Sequence, residues 1–248
     1  LATGESRQLT DNDLPDVEPD WSPDGGEILF VRSPTVTEFP SRLLLMLISA
    51  DGLNERVLFE CPSACLHPKW SPDGELIAFA MEDEIWVVAR DGSELRQISG
   101  EKVSAATYPS WSPDGKRLIY WASTDSTSVS RAQRADLAVL DLNIGEETIV
   151  LSGVSPLSPD WSPLGSIILY SDQPAPQKRW TLFDLHIETG AARRLISLDL
   201  EYDIFDAVWS PDGGQIAFAY GFKQIGSHLY VLDLAELGAL SPDPSDDS

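Results

Sequence analysis

Apolar residues recur at a spacing of two at five places along the chain. At each place an aliphatic residue is followed two positions later by an aromatic one, and the pairs are Ile28/Phe30, Ile77/Phe79, Leu118/Tyr120, Ile168/Tyr170 and Ile216/Phe218. A spacing of two puts both side chains on one face of a β-strand. The longest apolar runs, Leu43 to Ile48 among them, are also strand-sized, whereas a membrane-spanning helix needs about 18 apolar residues. The pattern predicts strands and no transmembrane helix.

The same five-residue turn precedes each of these strands. Trp-Ser-Pro-Asp-Gly begins at Trp21, Trp70, Trp111 and Trp209, and the variant Trp-Ser-Pro-Leu-Gly begins at Trp161. Pro presets φ in such a turn, Asp bonds to nearby backbone and Gly accepts positive φ. The turn therefore joins two strands, and the five equivalent tryptophans are predicted to pack between repeats.

Two more strands follow in each repeat. Third strands are predicted at 43–48, 85–89, 137–142, 181–186 and 229–234, and fourth strands at 56–59, 95–98, 148–151 and 193–196. A four-stranded antiparallel meander of about 40 to 50 residues has the period of a propeller blade. We expect an all-β fold, a five-bladed β-propeller in a single domain at 1–240, with blades at about 11–60, 61–100, 101–152, 153–198 and 199–238.

The fifth repeat lacks a fourth strand of its own. Residues 241–248 form an acidic tail whose prolines remove ladder donors. Residues 5–10 have the sequence of a fourth strand, because Arg7-Gln8-Leu9-Thr10 matches the segment 193–196. The N-terminal strand is therefore predicted to close the last blade, although a cut through a longer array would leave the same segment.

The repeat resembles that of TolB-like β-propellers, which are related in architecture to WD-repeat propellers. The Trp-Ser-Pro-Asp-Gly turn, the Ile-x-Phe strand, the Asp-Gly turn and the Arg-x-Leu-Thr strand carry the resemblance, from Gly4 to about Gly238. It implies a propeller fold. For function it implies several classes, namely periplasmic scaffold proteins, propeller domains of prolyl-oligopeptidase-like peptidases, polysaccharide lyases and bacterial cell-surface proteins.

The net charge, the motifs and the positions of the histidines narrow these functional classes. The formal net charge of -23 disfavours nucleic acid and anionic membranes and leaves basic proteins, peptides and cations as partners. No Gly-x-Ser-x-Gly nucleophile elbow occurs in the sequence. The resemblance implies a metal held by several histidines in the lyases, whereas His67, His186 and His228 belong to different repeats. The sequence therefore favours a chain that is not an enzyme and needs no cofactor.

Two sets of polar residues are candidates for partner binding. The position three before each repeat tryptophan is predicted to form a ring at the mouth of the channel, at Glu18, His67, Tyr108, Ser158 and Asp206. Acidic loops lead into the first and fifth blades, with Asp11, Asp13, Asp16, Glu18 and Asp20 in one and Asp199, Glu201, Asp203 and Asp206 in the other. Either set is a solvated rim, a contact for a basic peptide, or, at Asp203 and Asp206, a weak Ca²⁺ site in the channel.

Cys61 and Cys65 lie close in the sequence, with His67 beside them. Zinc would need a fourth ligand that the neighbourhood lacks, so the alternatives are a small disulfide and two free thiols.

Together these observations predict a non-enzymatic binding or scaffold module. It presents a loop-rich propeller face to a protein or basic peptide in the periplasm or outside a bacterial cell. The alternatives are the propeller part of a lyase or peptidase, and a structural segment of a larger cell-surface protein.

Overall fold

The computed structural model describes residues 7–34, 42–100, 103, 105–123, 135–154, 159–173, 180–197, 203–222 and 226–237. Nearly all of its regular structure is β-strand, in agreement with the sequence. The strands are β1 Asp16–Trp21, β2 Glu27–Arg32, β3 Leu44–Ser49, β4 Arg56–Glu60, β5 Cys65–Trp70, β6 Leu76–Met81, β7 Glu84–Ala89, β8 Arg96–Gln97, β9 Ala105–Trp111, β10 Arg117–Ser123, β11 Ala135–Asp141, β12 Glu146–Val154, β13 Asp160–Trp161, β14 Ile167–Asp172, β15 Thr181–His186, β16 Ala192–Ser197, β17 Asp203–Trp209, β18 Gln215–Phe222 and β19 Gly226–Asp233. One helical turn, α1 Leu234–Leu237, follows β19.

The strands form five antiparallel sheets, here called blades 1 to 5 in chain order. Blades 1 to 4 each have four strands in sequential order, and blade 5 has the three strands β17, β18 and β19 among the described residues. The fold is thus the predicted five-bladed β-propeller. Residues 1–6 lie outside the described part of the chain, so the pairing of the N-terminal strand with blade 5 stays a prediction.

The chain divides into two compact units, the first extending to Trp111 and the second beginning at Ser112. In the first unit, Leu29, Leu45 and Leu47 of blade 1 pack with Ile77 and Phe79 of blade 2 in one apolar cluster. In the second unit, the equivalent cluster joins blades 4 and 5. No helix in the described residues is both long enough and apolar enough to cross a membrane.

Each Ser-Pro-Asp-Gly turn has the same pattern of hydrogen bonds. In the first, Asp24 Oδ1 accepts from Ser22 Oγ at 2.6 Å and from the backbone N–H of Gly26 at 2.9 Å. Ser22 Oγ in turn accepts from the N–H of Glu27. Asp73, Asp114 and Asp212 make the same bond to their serine. These bonds hold the turn that positions the first two strands of a blade.

These turn carboxylates are expected to make the protein acid-sensitive. Hydrogen bonds from the serine hydroxyl and from the backbone N–H lower the pKa of Asp24 to about 2, and the same two causes lower the pKa of Asp73, Asp114 and Asp212. Because the folded pKa lies below the unfolded value, the stabilisation is complete above about pH 4 and is lost as the pH falls through the folded pKa. Asp114→Asn should reduce the loss of unfolding free energy between pH 5 and pH 2.5, measured by urea titration.

The fourth turn lacks the carboxylate, so the reverse substitution can be made there. Leu164, 71% exposed, stands where the other turns have Asp, and Leu164→Asp should steepen the same pH dependence. Equal pH profiles for the parent chain and both variants would show that the turn carboxylates are not responsible.

Candidate functional site

The site is built on left-handed residues in the first strands of blades 1, 2 and 3, which lie at bulges in blades 1 and 2. Glu18, His67 and Tyr108 have φ of 53°, 55° and 56°, a left-handed conformation that costs energy for residues other than glycine. In β1 and β5 the register with the second strand shifts at these residues. A proline follows each of the three and has no N–H to leave unpaired in the bulge.

Glu18 reaches from blade 1 to blade 2. Its Oε2 accepts a hydrogen bond of 2.6 Å from the backbone N–H of His67, and its Oε1 lies 3.2 Å from His67 Nδ1. Both side chains are only partly exposed, at 30% for Glu18 and 21% for His67. One carboxylate therefore fixes both the backbone and the ring of the next bulge residue.

His67 extends the cluster to blade 3. Its imidazole stacks on the ring of Tyr108, with centroids 3.6 Å apart and planes inclined by 17°. The structure therefore brings together three of the five residues predicted for the ring, in the order Glu18, His67, Tyr108.

The electrostatics of the cluster favour an ionised Glu18. Burial opposes ionisation, but the hydrogen bond and charge of His67, its backbone N–H and the charge of Lys69 together lower the pKa of Glu18. The folded carboxyl thus holds its proton less tightly than the unfolded one, and the stabilisation it gives is lost as the pH falls through its folded pKa.

Two residues further along, Asp20 makes a second connection between blades 1 and 2. It accepts from the backbone N–H of Trp70 at 2.9 Å and from Lys69 Nζ at 3.3 Å. Asp160 makes the same bond to the N–H of Trp209 in the second unit, at 3.0 Å. A carboxylate immediately before a repeat tryptophan thus binds the next repeat tryptophan, which is a structural role.

Asp16, also predicted to contact a partner, is bound inside the protein by Arg32. Arg32 donates from Nε to Asp16 Oδ1 at 2.7 Å and from Nη2 to Oδ2 at 2.9 Å. It also pairs with Glu55, and its guanidinium lies 5.1 Å from the Phe30 ring centroid. Sequence reasoning did not find this network. An arginine at the end of an apolar strand was its one signal.

The first acidic loop is therefore only partly available to a partner. Asp11 and Asp13 are exposed, Asp16 and Asp20 have the internal partners described above, and Glu18 keeps 30% of its side chain exposed beside His67. In the second loop, Asp199 and Glu201 lie outside the described residues, as does Ser158 of the predicted ring. Asp203 and Asp206 belong to β17, and their side chains are outside the description.

Cys61 and Cys65 form a disulfide, one of the two alternatives that the sequence left open. Their Cα atoms are 6.1 Å apart, within the usual range. Both residues are buried in the apolar cluster between blades 1 and 2, and Cys65 lies two residues before His67. The bridge therefore anchors the strand that presents His67.

The side chains at this site suit recognition. Glu18 offers a carboxylate that is ionised at neutral pH, and the stacked rings offer an aromatic surface for a cationic group. Within the described ranges, no three side chains of His, Cys, Asp or Glu are grouped so as to hold a metal ion.

No family model and no curated protein matches this sequence. Solved structures do match. TolB from Acinetobacter baumannii is 19% identical over 94% of this chain and 55% of its own, with a TM-score of 0.71. An oligogalacturonate lyase in complex with manganese is 16% identical over 94% of this chain and 69% of its own, with a TM-score of 0.72. A prolyl endopeptidase is 19% identical over 90% of this chain and 35% of its own, with a TM-score of 0.59.

These matches define the class of protein by fold. The chain is a β-propeller, and the fold is that of the TolB-like propellers that the repeat resembles. It spans about half the length of the Acinetobacter TolB. The same fold serves a lyase and a peptidase, so function has to be argued from the site.

Proposed function

We propose that this chain is a non-enzymatic binding module that recognises a protein or peptide through the cluster of Glu18, His67 and Tyr108. The observation that supports this most directly is the strained backbone at three equivalent positions, which directs three polar side chains into one cluster. Backbone strain of this kind is concentrated at active sites, ligand clamps and switch regions, which supports a functional role for the cluster.

The proposed partner segment is basic. Glu18 carries a negative charge, and the exposed Asp11 and Asp13 add to the field on the same loop. A lysine or arginine of the partner can approach the carboxylate while its side chain lies along the Tyr108 ring. The net charge of -23 would speed the encounter with a cationic segment.

We place this function outside the cytoplasm. The buried disulfide joins Cys61, which follows β4, to the first residue of the strand that carries His67, and such a bridge forms and persists in an oxidising compartment. The likeness to TolB supports the periplasm of a bacterium as that compartment.

Binding of an octalysine peptide labelled with fluorescein is expected to depend on Glu18. Glu18→Gln keeps the side chain's shape and removes its charge, so the dissociation constant at low salt should rise about fivefold, the effect of losing one partly exposed ion pair of about 1 kcal/mol. Fluorescence anisotropy measures it, with octaglutamate as the probe that should not bind.

Glu146→Gln is the matched control. Glu146 is exposed on β12 of blade 3 and carries the same charge, so its variant should bind within about twofold of the parent chain. An equal loss in both variants would show that only net charge attracts the peptide. Binding that is insensitive to Glu18→Gln, and also to charge reversal at Asp203 and Asp206, would contradict the proposal.

A further inference from the structure

His67 is the one residue of the cluster of Glu18, His67 and Tyr108 that belongs to a type able to change charge near neutral pH. Histidine side chains in general change charge between about pH 5 and pH 8, whereas carboxyl groups lose their proton at lower pH and phenols at higher pH. Nδ1 of His67 lies 3.2 Å from Glu18 Oε1. A positive charge on the imidazole therefore lies directly beside the carboxylate that the proposed partner binds.

Glu18 is fixed beside the imidazole by its second oxygen. Its Oε2 accepts the 2.6 Å hydrogen bond from the backbone N–H of His67 itself, so the carboxylate is held by the same residue that carries the ring. Both side chains are largely covered by protein, and water screens such a pair less than it screens charges on an open surface. A charge on the imidazole is therefore felt strongly by Glu18.

The imidazole is held on its other side by Tyr108. The two rings are stacked, which fixes the orientation that points Nδ1 at Glu18. Nδ1 can donate to the carboxylate in the neutral and in the charged imidazole, and a charged ring also interacts favourably with the face of an aromatic ring. Both protonation states thus fit the same arrangement, and what changes between them is the charge of the cluster.

The remaining charged residues of the strands around His67 already have partners. The pairs are Lys69 with Asp20, Arg32 with Asp16 and Glu55, and Glu27 with Arg90. Strands β3 and β6, which also pack against β5, carry no titratable residue. In the described part of the chain, the titratable groups that face the imidazole are therefore Glu18 from β1 and Tyr108 from β9.

We propose that protonation of His67 weakens the binding of a basic partner at this cluster, so that acidification releases the partner. This inference rests on the proposed function. With a neutral imidazole, the cluster carries the single negative charge of Glu18, which attracts a lysine or arginine. With a charged imidazole, the charge of Glu18 is neutralised from within the protein, and the attraction for a cation falls.

The dissociation constant of octalysine at two pH values tests the proposal. The peptide carries a rhodamine, whose emission does not depend on pH in this range, and fluorescence anisotropy is measured at low salt. For the parent chain the dissociation constant should rise about fivefold from pH 7.5 to pH 5.5, the loss expected when the charge of Glu18 is removed.

Two variants remove the titrating group in different ways. His67→Gln keeps a hydrogen-bond donor for Glu18, and His67→Phe keeps an aromatic ring against Tyr108. Whatever affinity each variant has, its dissociation constant should be the same at pH 7.5 and pH 5.5, because neither side chain changes charge in this range. Circular dichroism at both pH values establishes that each variant is folded.

His186→Gln is the matched control. His186 is exposed at the end of β15 and belongs to the second unit, so this variant should keep the pH dependence of the parent chain. Calorimetry at about pH 6.5 adds a second measurement. Octalysine binding should release protons from the parent chain and from His186→Gln, and none from the His67 variants, because a bound cation favours the neutral imidazole.

The outcomes distinguish this proposal from the function on which it rests. If octalysine does not bind at pH 7.5, the proposed function fails and the pH dependence fails with it. If octalysine binds equally well at both pH values, or if the parent chain and the His67 variants lose affinity equally, only the pH dependence is overturned. Loss of the pH dependence in His186→Gln would overturn it as well.

Discussion

Arg32→Ala is expected to lower the free energy of unfolding by about 3 kcal/mol, the lower end of the cost of removing one partner from a buried ion pair. The Arg32 side chain is 7% exposed and lies between the carboxylates of Asp16 and Glu55. Without it, two carboxylates face each other with no cation between them. Water reaches both of them in part, which places the cost at the lower end of the range. Urea unfolding at pH 7 measures the change.

Arg56→Ala is the control for this prediction. Arg56 also lies near a carboxylate, Glu27, but at 3.7 Å and with 41% of its side chain exposed, so its loss should cost less than about 1 kcal/mol. If Arg32→Ala were no more costly than Arg56→Ala, the Arg32 network would not stabilise blade 1. If the prediction holds, adding Asp16→Asn to Arg32→Ala should restore part of the lost stability, because it removes one of the two unpaired charges.

The fold could be predicted from the sequence because the local pattern of one blade recurs five times. The turn at Trp21 and the strand with Ile28 and Phe30 use strong local signals, namely turn chemistry and alternation, and each recurs at the spacing of a blade. The disulfide could only be left open, because pairing depends on the distance between Cys61 and Cys65 and on the core around them. Local patterns do not report such distances.

For the candidate site, the sequence pattern selects residues but does not predict the contacts between them. Counting three positions back from each tryptophan selects Glu18, His67 and Tyr108, and the structure brings these three side chains into contact, whereas their role in partner binding stays a prediction. The left-handed backbone conformation that the three residues share is not visible in the sequence, because a non-glycine residue adopts it only where the surrounding structure imposes it. Asp16 and Asp20 have the sequence pattern of free loop charges, but Asp16 accepts hydrogen bonds from Arg32 and Asp20 accepts one from the backbone N–H of Trp70.

Gly92→Ala is expected to destabilise the protein by about 3 kcal/mol, through two independent costs. Gly92 lies in the turn after β7 with φ of 87°, where a side chain adds about 1 to 2 kcal/mol of backbone strain. A Cβ at this position would also lie 2.7 Å from the carbonyl oxygen of Leu58 in blade 1. Backbone cannot move aside as a flexible side chain can, so the junction of blades 1 and 2 would have to open.

Gly145→Ala separates the two costs. Gly145 has φ of 69° in the turn between β11 and β12, and a Cβ there would meet nothing within 4 Å. Its variant should therefore show the backbone strain alone, about 1 kcal/mol. The difference between the two variants then measures how rigidly Leu58 is held against blade 2. Equal losses would mean that the junction yields at little cost, and that close contact between neighbouring blades contributes little to the stability of the propeller.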